Sequence, residues 1–139
     1  MALPNTRGSL AEAVRSGRIP HRSVKEELRD NLAAALRAGR PLFPGVVGYD
    51  DTVVPAIANA VLSKHNFILL GLRGQAKSRI LRGLTRLLDP ALPVVAGSEI
   101  NDDPFAPLSA YARARVAEAG DDTPIAWLTP EQRYVEKLA

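Results

Sequence analysis

The chain has 139 residues, of which 46% are hydrophobic and 24% charged, and its formal net charge is +3. These proportions are typical of a folded domain with one buried core, and they exclude a disordered polar chain. No apolar run approaches the roughly 20 residues of a membrane span, and the lack of cysteine excludes disulfides and thiolate metal sites and favours a cytoplasmic location.

The first forty residues predict two short amphipathic helices. The segments SLAE, beginning at Ser9, and SVKE, beginning at Ser23, both fit the capping box, in which Ser caps a backbone N–H and Glu reaches back. With Gly39 as a stop signal, we predict helices over residues 10–16 and 24–38. Five residues at helical spacing give the second helix an apolar face: Val24, Leu28, Leu32, Ala35 and Leu36.

These first forty residues also carry the positive charge of the chain, with eight Lys and Arg against four Asp and Glu. Such an excess suits either a solvated helical surface or an arm that meets nucleic acid or an acidic partner. We expect the solvated surface, and we expect the segment to pack on its own domain rather than on a partner.

A Pro- and Gly-rich connection, RPLFPGVVGYDDT, follows and predicts a domain boundary. We therefore divide the chain into an N-terminal helical extension, residues 1–42, and an α/β domain, residues 43–139. Asp50 or Asp51 is expected to cap the next helix, whose first turn tolerates Pro55. Four residues form the buried stripe predicted for this helix: Val54, Ile57, Ala58 and Val61.

The apolar run Phe67–Leu70, bounded by Asn66 and Gly71, predicts a strand buried on both faces. Helical periodicity resumes after it and ends at Asp89-Pro90. The apolar face of this helix consists of Ile80, Leu81, Leu84, Leu87 and Leu88.

The rest of the chain predicts two more short strands, residues 93–96 and 125–127, with a helix over residues 108–119 between them. The loop NDDPFAP precedes that helix. A capping box at residues 129–132 opens a last helix, with Pro at its first position.

The segment GLRGQAKS, residues 71–78, nearly matches the phosphate-binding pattern G-x-x-x-x-G-K-[ST], with Ala76 in place of the second glycine. In this motif the turn directs backbone N–H groups at an anion, and the helix beginning at Lys-Ser adds its positive end. Lys77 would reach the β- and γ-phosphates, and the Ser78 hydroxyl would bind Mg²⁺. Ala76 costs little where its backbone suits an L-residue, and roughly 1 kcal/mol or more where φ is positive. A turn with an incidental Lys-Ser pair is the alternative.

A longer stretch carries a family resemblance. FPGVVGYDDTVVPAIANAVLSKHNFILLGLRGQAKSRILRGL resembles the start of the ATPase module in AAA+ proteins of the magnesium chelatase ATPase-subunit and MoxR-like group. In that family a turn similar to Val47-Gly48-Tyr49 lines the adenine pocket. Some members of the chelatase-like branch have a loop similar to RGQAK[ST], so on this resemblance Ala76 is a variant of that branch. The predicted nucleotide-binding residues are Val47, Gly48, Tyr49, Gly71, Arg73, Gly74, Gln75, Ala76, Lys77 and Ser78, and Ser78 is also the predicted metal ligand.

The resemblance implies an α/β fold: an incomplete P-loop NTPase (AAA+) αβα domain with parallel strands, preceded by the N-terminal helical segment. It implies ATP and Mg²⁺ as cofactors, a homo-oligomeric ring, and a metal-insertion or von Willebrand A-domain protein as the remodelled partner. An AAA+ ATPase also needs a strand ending in Asp-Glu, sensor residues and an arginine finger, which this sequence does not show. We therefore expect a fragment of a longer protein that binds ATP but does not hydrolyse it efficiently.

Two other functions remain open: a non-catalytic interaction module with a degenerate phosphate loop, and a nucleic-acid-binding arm on residues 1–40. The arginines after the loop, Arg79, Arg82 and Arg86, form one basic face, which suits a neighbouring subunit or nucleotide, although we expect a solvated surface.

The remaining polar residues favour structural roles. His21 and His65 lack ligand spacing, so no zinc site is expected. The carboxylate pairs Asp102-Asp103 and Asp121-Asp122 are flanked by turn residues, and we expect them to act in turns or caps rather than in catalysis.

Overall fold

The computed structural model of the chain describes residues 3–40, 53–66 and 74–133, with the backbone alone at residues 53 and 74–78. The helices are α1 (Arg7–Arg15), α2 (Val24–Arg37), α3 (Val53–Leu62), α4 (Gly74–Thr85), α5 (Ala110–Ala119) and α6 (Pro130–Arg133), and the strands are β1 (Leu92–Val95) and β2 (Ile125–Leu128). A short 3-10 helix, Gly120–Asp122, lies between α5 and β2.

These elements belong to two compact units. The helical unit contains α2, α3 and α4, within residues 22–89, and the sheet unit contains α1 together with residues 90–133. The boundary predicted between residues 42 and 43 lies outside the described residues, so the division into 1–42 and 43–139 stays a prediction.

In the helical unit, α2 begins and ends as its sequence predicts. The Ser23 hydroxyl accepts a hydrogen bond from the Glu26 backbone N–H at 3.2 Å, and the Glu26 carboxylate accepts one from the Ser23 N–H at 3.2 Å. The predicted capping box is therefore confirmed. At the other end Gly39 has a φ of +70°, the left-handed conformation in which glycine commonly ends a helix.

The core of the helical unit draws on all three helices. Its buried members are Leu32, Ile57, Val61, Ile80 and Leu87. The stripe predicted for α3 is confirmed, because Val54 and Ala58 pack against the same cluster. Ile80 is fully buried and places α4 firmly in this core. Truncating one such aliphatic side chain to alanine typically costs about 2–5 kcal/mol.

In the sheet unit, the predicted strands are confirmed within one residue, and they pair with each other. Leu92 lies opposite Leu128 and Val95 opposite Ile125, in antiparallel register. A P-loop domain would have parallel strands, and this pair is antiparallel. The strand predicted at residues 67–70 lies outside the described residues, so the P-loop fold class stays a prediction.

The N-terminal segment packs against the same unit. The Ile125 N–H donates to the Asn5 carbonyl at 3.0 Å, and the Trp127 indole N–H donates to the Pro4 carbonyl at 2.7 Å. Leu10 and Ala13 on α1 are buried. The first twenty residues therefore pack on the chain itself, as expected.

The start predicted for α1 is wrong by three residues. Thr6, rather than Ser9, is the N-cap, and Ser9 is the third helical residue, whose hydroxyl closes the capping box on Thr6. The reason is a distant contact: the Arg7 N–H donates to the Thr123 carbonyl at 2.9 Å. The segment paired beside β2 thus ends at Thr6, and the helix begins directly after it.

Candidate functional site

The predicted nucleotide-binding residues fall in three segments of the chain. Residues 47–49 and 71–73 lie outside the described residues, as does the predicted strand at 67–70. The remaining five, residues 74–78, form the start of α4, where the structure describes the backbone.

The start predicted for this helix, the Lys-Ser pair, is corrected by the structure. α4 begins at Gly74, three residues before Lys77. Gln, Ala and Lys have high helix propensity, which favours extension of the helix toward its N-terminus. Ala76 therefore has a right-handed helical backbone with negative φ, in which a β-carbon causes no strain. The cost that a positive φ would impose on alanine does not arise here.

The first turn of α4 has the general properties of an anion site. The first N–H groups of a helix lack intrahelical acceptors, and its N-terminus carries about half a positive charge. The first residues described in α4 are Gly74, Gln75 and Ala76. Lys77 and Ser78 follow as the fourth and fifth residues of the helix. Phosphate binds favourably to this arrangement of donors.

Beyond the first turn, α4 has one buried and one exposed face. Ile80 is fully buried, whereas Arg79, Arg82 and Arg86 are exposed. The basic face is therefore solvent-facing, as expected, and its use by a neighbouring subunit stays a prediction.

No family model, no curated protein and no solved structure matches this chain.

Asp102 is the centre of a hydrogen-bond cluster. One carboxylate oxygen accepts from the backbone N–H groups of Leu108 at 2.6 Å and Ser109 at 3.1 Å. The other oxygen accepts from the hydroxyls of Ser98, at 2.7 Å, and Ser109. The hydrogen bond from the Ser109 hydroxyl holds the pKa of Asp102 well below its usual range. Burial of the carboxylate raises the pKa, but the bonds from Leu108 and Ser98 add to the lowering and outweigh it. Asp102 therefore has a structural role in the loop before α5, and the expected turn role is confirmed for Asp103, whose carboxylate accepts from the N–H two residues later.

This cluster also explains the later start of α5. The helix was expected from residue 108 and begins at Ala110, with Ser109 as its N-cap. The N–H groups of Leu108 and Ser109 already donate to Asp102, so these residues are held outside the helix.

Asp103 joins a separate contact that sequence spacing did not indicate. One of its oxygens lies 2.9 Å from Nε2 of His21, and the other accepts from the Phe105 N–H. The Phe105 ring meets the His21 ring edge-on and lies 5.5 Å from the guanidinium of Arg7. The guanidinium of Arg7 therefore makes a contact within the chain, against the ring of Phe105.

The helical unit contains a polar network that sequence reasoning also missed. Arg22 donates to Asp89, whose backbone N–H donates to the buried carboxylate of Glu27. Asn31 donates to the Leu87 carbonyl at 2.6 Å and to Asp89 at 3.0 Å. The sequence signal was a Glu inside the apolar half of α2, since a buried carboxylate needs donors.

Within residues 3–40, 53–66 and 74–133 there is no group of three or more His, Cys, Asp or Glu that could hold a metal ion. In the same residues no helix has the length and apolar character needed to cross a membrane.

Proposed function

We propose that residues 43–139 are the N-terminal portion of an AAA+ module that binds ATP with Mg²⁺ through residues 71–78. The observation that carries the proposal is the phosphate-loop pattern GLRGQAKS together with a helix, α4, that begins inside it. The helical backbone at Ala76 is compatible with it, because alanine carries no strain in that conformation.

The proposed roles follow from the chemistry of the first turn of α4. Its backbone N–H groups would donate hydrogen bonds to the phosphate oxygens, and the Lys77 ammonium would neutralise part of the phosphate charge. The Ser78 hydroxyl would supply an oxygen ligand to Mg²⁺. When bound, the metal would neutralise part of the charge on the phosphates.

In the full protein we propose a Mg²⁺-dependent ATPase that acts as a cytoplasmic homo-oligomeric ring and remodels a metal-insertion or von Willebrand A-domain partner. Support comes from the family resemblance of residues 43–84, which includes the turn at residues 47–49. Hydrolysis by these 139 residues alone is expected to be slow, because the strand ending in Asp-Glu is absent from the sequence.

A fluorescent ATP analogue provides the test of the proposed site. Its signal should saturate as wild-type chain is added. The affinity of Lys77→Ala for the analogue should be at least about tenfold lower, since a charge-assisted phosphate contact is lost. Arg37→Ala, an exposed substitution on α2, is the matched control and should bind as the wild type does. Equal affinities for all three proteins would reject the site.

A second function, a non-catalytic interaction module with a degenerate loop, is favoured by one observation: β1 and β2 pair antiparallel. Ala76→Gly separates the two proposals. A degenerate loop should gain nucleotide affinity when the glycine is restored. A working loop should gain none, and the helix should lose about 1 kcal/mol because glycine is a poor helix former.

A further inference from the structure

The helical unit has a groove of about 540 Å³ that the proposed nucleotide site does not use. Its apolar lining comes from all three helices: Val24 and Leu28 of α2, Val61 of α3 and Leu81 of α4. Val24 is 52% exposed, which is high for an aliphatic side chain beside a buried core. The volume is within the range of sites that hold ligands, roughly 300–1,000 Å³.

The polar lining of this groove is cationic. Lys25 comes from the first turn of α2, and Lys64, His65 and Asn66 come from the segment after α3. All four are exposed. No Asp or Glu is among the eight lining residues that the structure describes, and these residues combine an apolar floor with two formal positive charges and an imidazole.

Lys64 occupies an unusual backbone position. Its φ is +59°, and its N–H donates to the Val61 carbonyl while the His65 N–H donates to Ala60. Many helices end with a residue in this left-handed conformation, and that residue is usually glycine. A lysine there costs roughly 1 kcal/mol relative to glycine, which points to a role for its side chain.

One acid close enough for the charge of Lys64 to lower its pKa, Glu26, is already hydrogen-bonded. Glu26 accepts hydrogen bonds from the N–H and hydroxyl of Ser23, and these lower its pKa, with smaller contributions from the charges of Lys64 and Arg22. Its carboxylate therefore caps α2 and is not among the groove residues. Within the part of the chain that the structure describes, neither Lys25 nor Lys64 forms an ion pair, so both can attract an acid of a partner.

We propose that this groove binds an acidic amphipathic segment of a partner protein. One or two of its apolar side chains would enter the floor, and its Asp or Glu residues would face Lys25, Lys64 and His65. Charge complementarity of this kind supplies specificity and faster association, and burial of the apolar side chains supplies affinity. The inference is independent of nucleotide binding.

The test uses a fluorescein-labelled peptide of fourteen residues with Leu at helical spacing and Glu at the other positions, measured by fluorescence polarisation. Lys25→Ala and Lys64→Gly should each weaken binding roughly threefold, as expected for one exposed ion pair. Val24→Ser should also weaken peptide binding, because it removes an apolar side chain from the floor of the groove. Arg37→Ala is the control, because it removes an exposed cation of α2 outside the groove.

Lys64→Gly also distinguishes lost binding from lost folding. Glycine relieves the positive φ, so the urea midpoint of this variant should stay equal to that of the wild type or rise while its affinity falls. A drop in affinity without a drop in stability supports the groove.

Three results would overturn the proposal. The first is an equal loss in Arg37→Ala, which would indicate attraction by net charge alone. The second is equal binding of a peptide with Lys in place of Glu. The third is complete displacement of the labelled peptide by dodecanoate at a concentration below that of unlabelled peptide needed for the same displacement. This would make the groove a site for small amphiphiles. Failure of nucleotide binding would leave each of these readouts unchanged.

Discussion

Asp89 accepts two hydrogen bonds from a single nitrogen of Arg22: Nη2 lies 3.0 Å from Oδ1 and 3.1 Å from Oδ2. The other terminal nitrogen of Arg22 lies 3.1 Å from a carboxylate oxygen of Asp30. Arg22 precedes α2 and Asp89 follows α4, so this contact joins the beginning of one helix of the core to the end of another. Side chains of both residues are less than a third exposed.

Removing the guanidinium should therefore destabilise the helical unit. We expect Arg22→Ala to lower the free energy of unfolding by about 1–3 kcal/mol, because the partly buried carboxylate of Asp89 loses its charged donor and keeps only the amide of Asn31. Urea denaturation measures the change. Arg37→Ala should shift stability by less than about 0.5 kcal/mol, and a similarly small shift in Arg22→Ala would contradict the structural role.

The Asp102 cluster predicts a pH dependence of stability. The pKa of Asp102 in the folded chain is below its ordinary value of 3.8. At pH values well above 3.8, the stabilisation from the ionised carboxylate is therefore fully present. As the pH falls below about 4, the unfolded chain takes up a proton that the folded chain resists, and this stabilisation is progressively lost. Thermal unfolding between pH 6 and pH 3 should show the decline.

Asp102→Asn should lower the melting temperature near neutral pH and flatten this decline. The substitution turns one acceptor oxygen into an NH₂ donor, although both carboxylate oxygens accept hydrogen bonds. Asp122→Asn, an exposed change in the neighbouring 3-10 helix, is the control. If both variants follow the pH profile of the wild type, the cluster does not set it.

Gly97 predicts a combined backbone and steric effect. Its φ is +82°, and a β-carbon there would lie 2.6 Å from the hydroxyl of Tyr111. Gly17 has a similar φ of +79° with no atom within 4 Å of such a carbon. Gly17→Ala should therefore cost about 1–2 kcal/mol from backbone strain alone, and Gly97→Ala should cost more.

Urea denaturation of the two glycine variants isolates the steric part as their difference. Tyr111→Phe removes the hydroxyl, so it should recover part of the loss when combined with Gly97→Ala. Equal losses in the two glycine variants, with no recovery in the double variant, would show that the contact carries no cost.

The helices of the core were predictable because their information is local. The stripe at Ile57 and Val61 and the capping box at Ser23 each lie within a few residues of chain, and both are confirmed. The start of α1 was not predictable in this way, since it depends on the bond from Arg7 to Thr123. The partners are distant in sequence, and no periodicity links them.

Strand direction and polar networks required the structure for the same reason. Two short apolar runs predict two strands, but they contain nothing that fixes whether Leu92 pairs with Leu128 in an antiparallel sense. Likewise the sequence predicts Asp89 only as a helix end, whereas α4 ends at Thr85 and both Arg22 and Glu27 bond to Asp89. The candidate nucleotide site can be predicted from the sequence alone, because its pattern lies in one continuous stretch, residues 71–78. Nucleotide binding there stays a prediction.

Isothermal titration of MgATP into the 139-residue chain tests the central proposal most directly. We predict saturable heat with one nucleotide bound per chain. For Lys77→Ala we predict an affinity at least about tenfold lower, at an unchanged urea midpoint. Absence of heat from the wild type, or the same titration curve from Lys77→Ala, would contradict nucleotide binding at this loop.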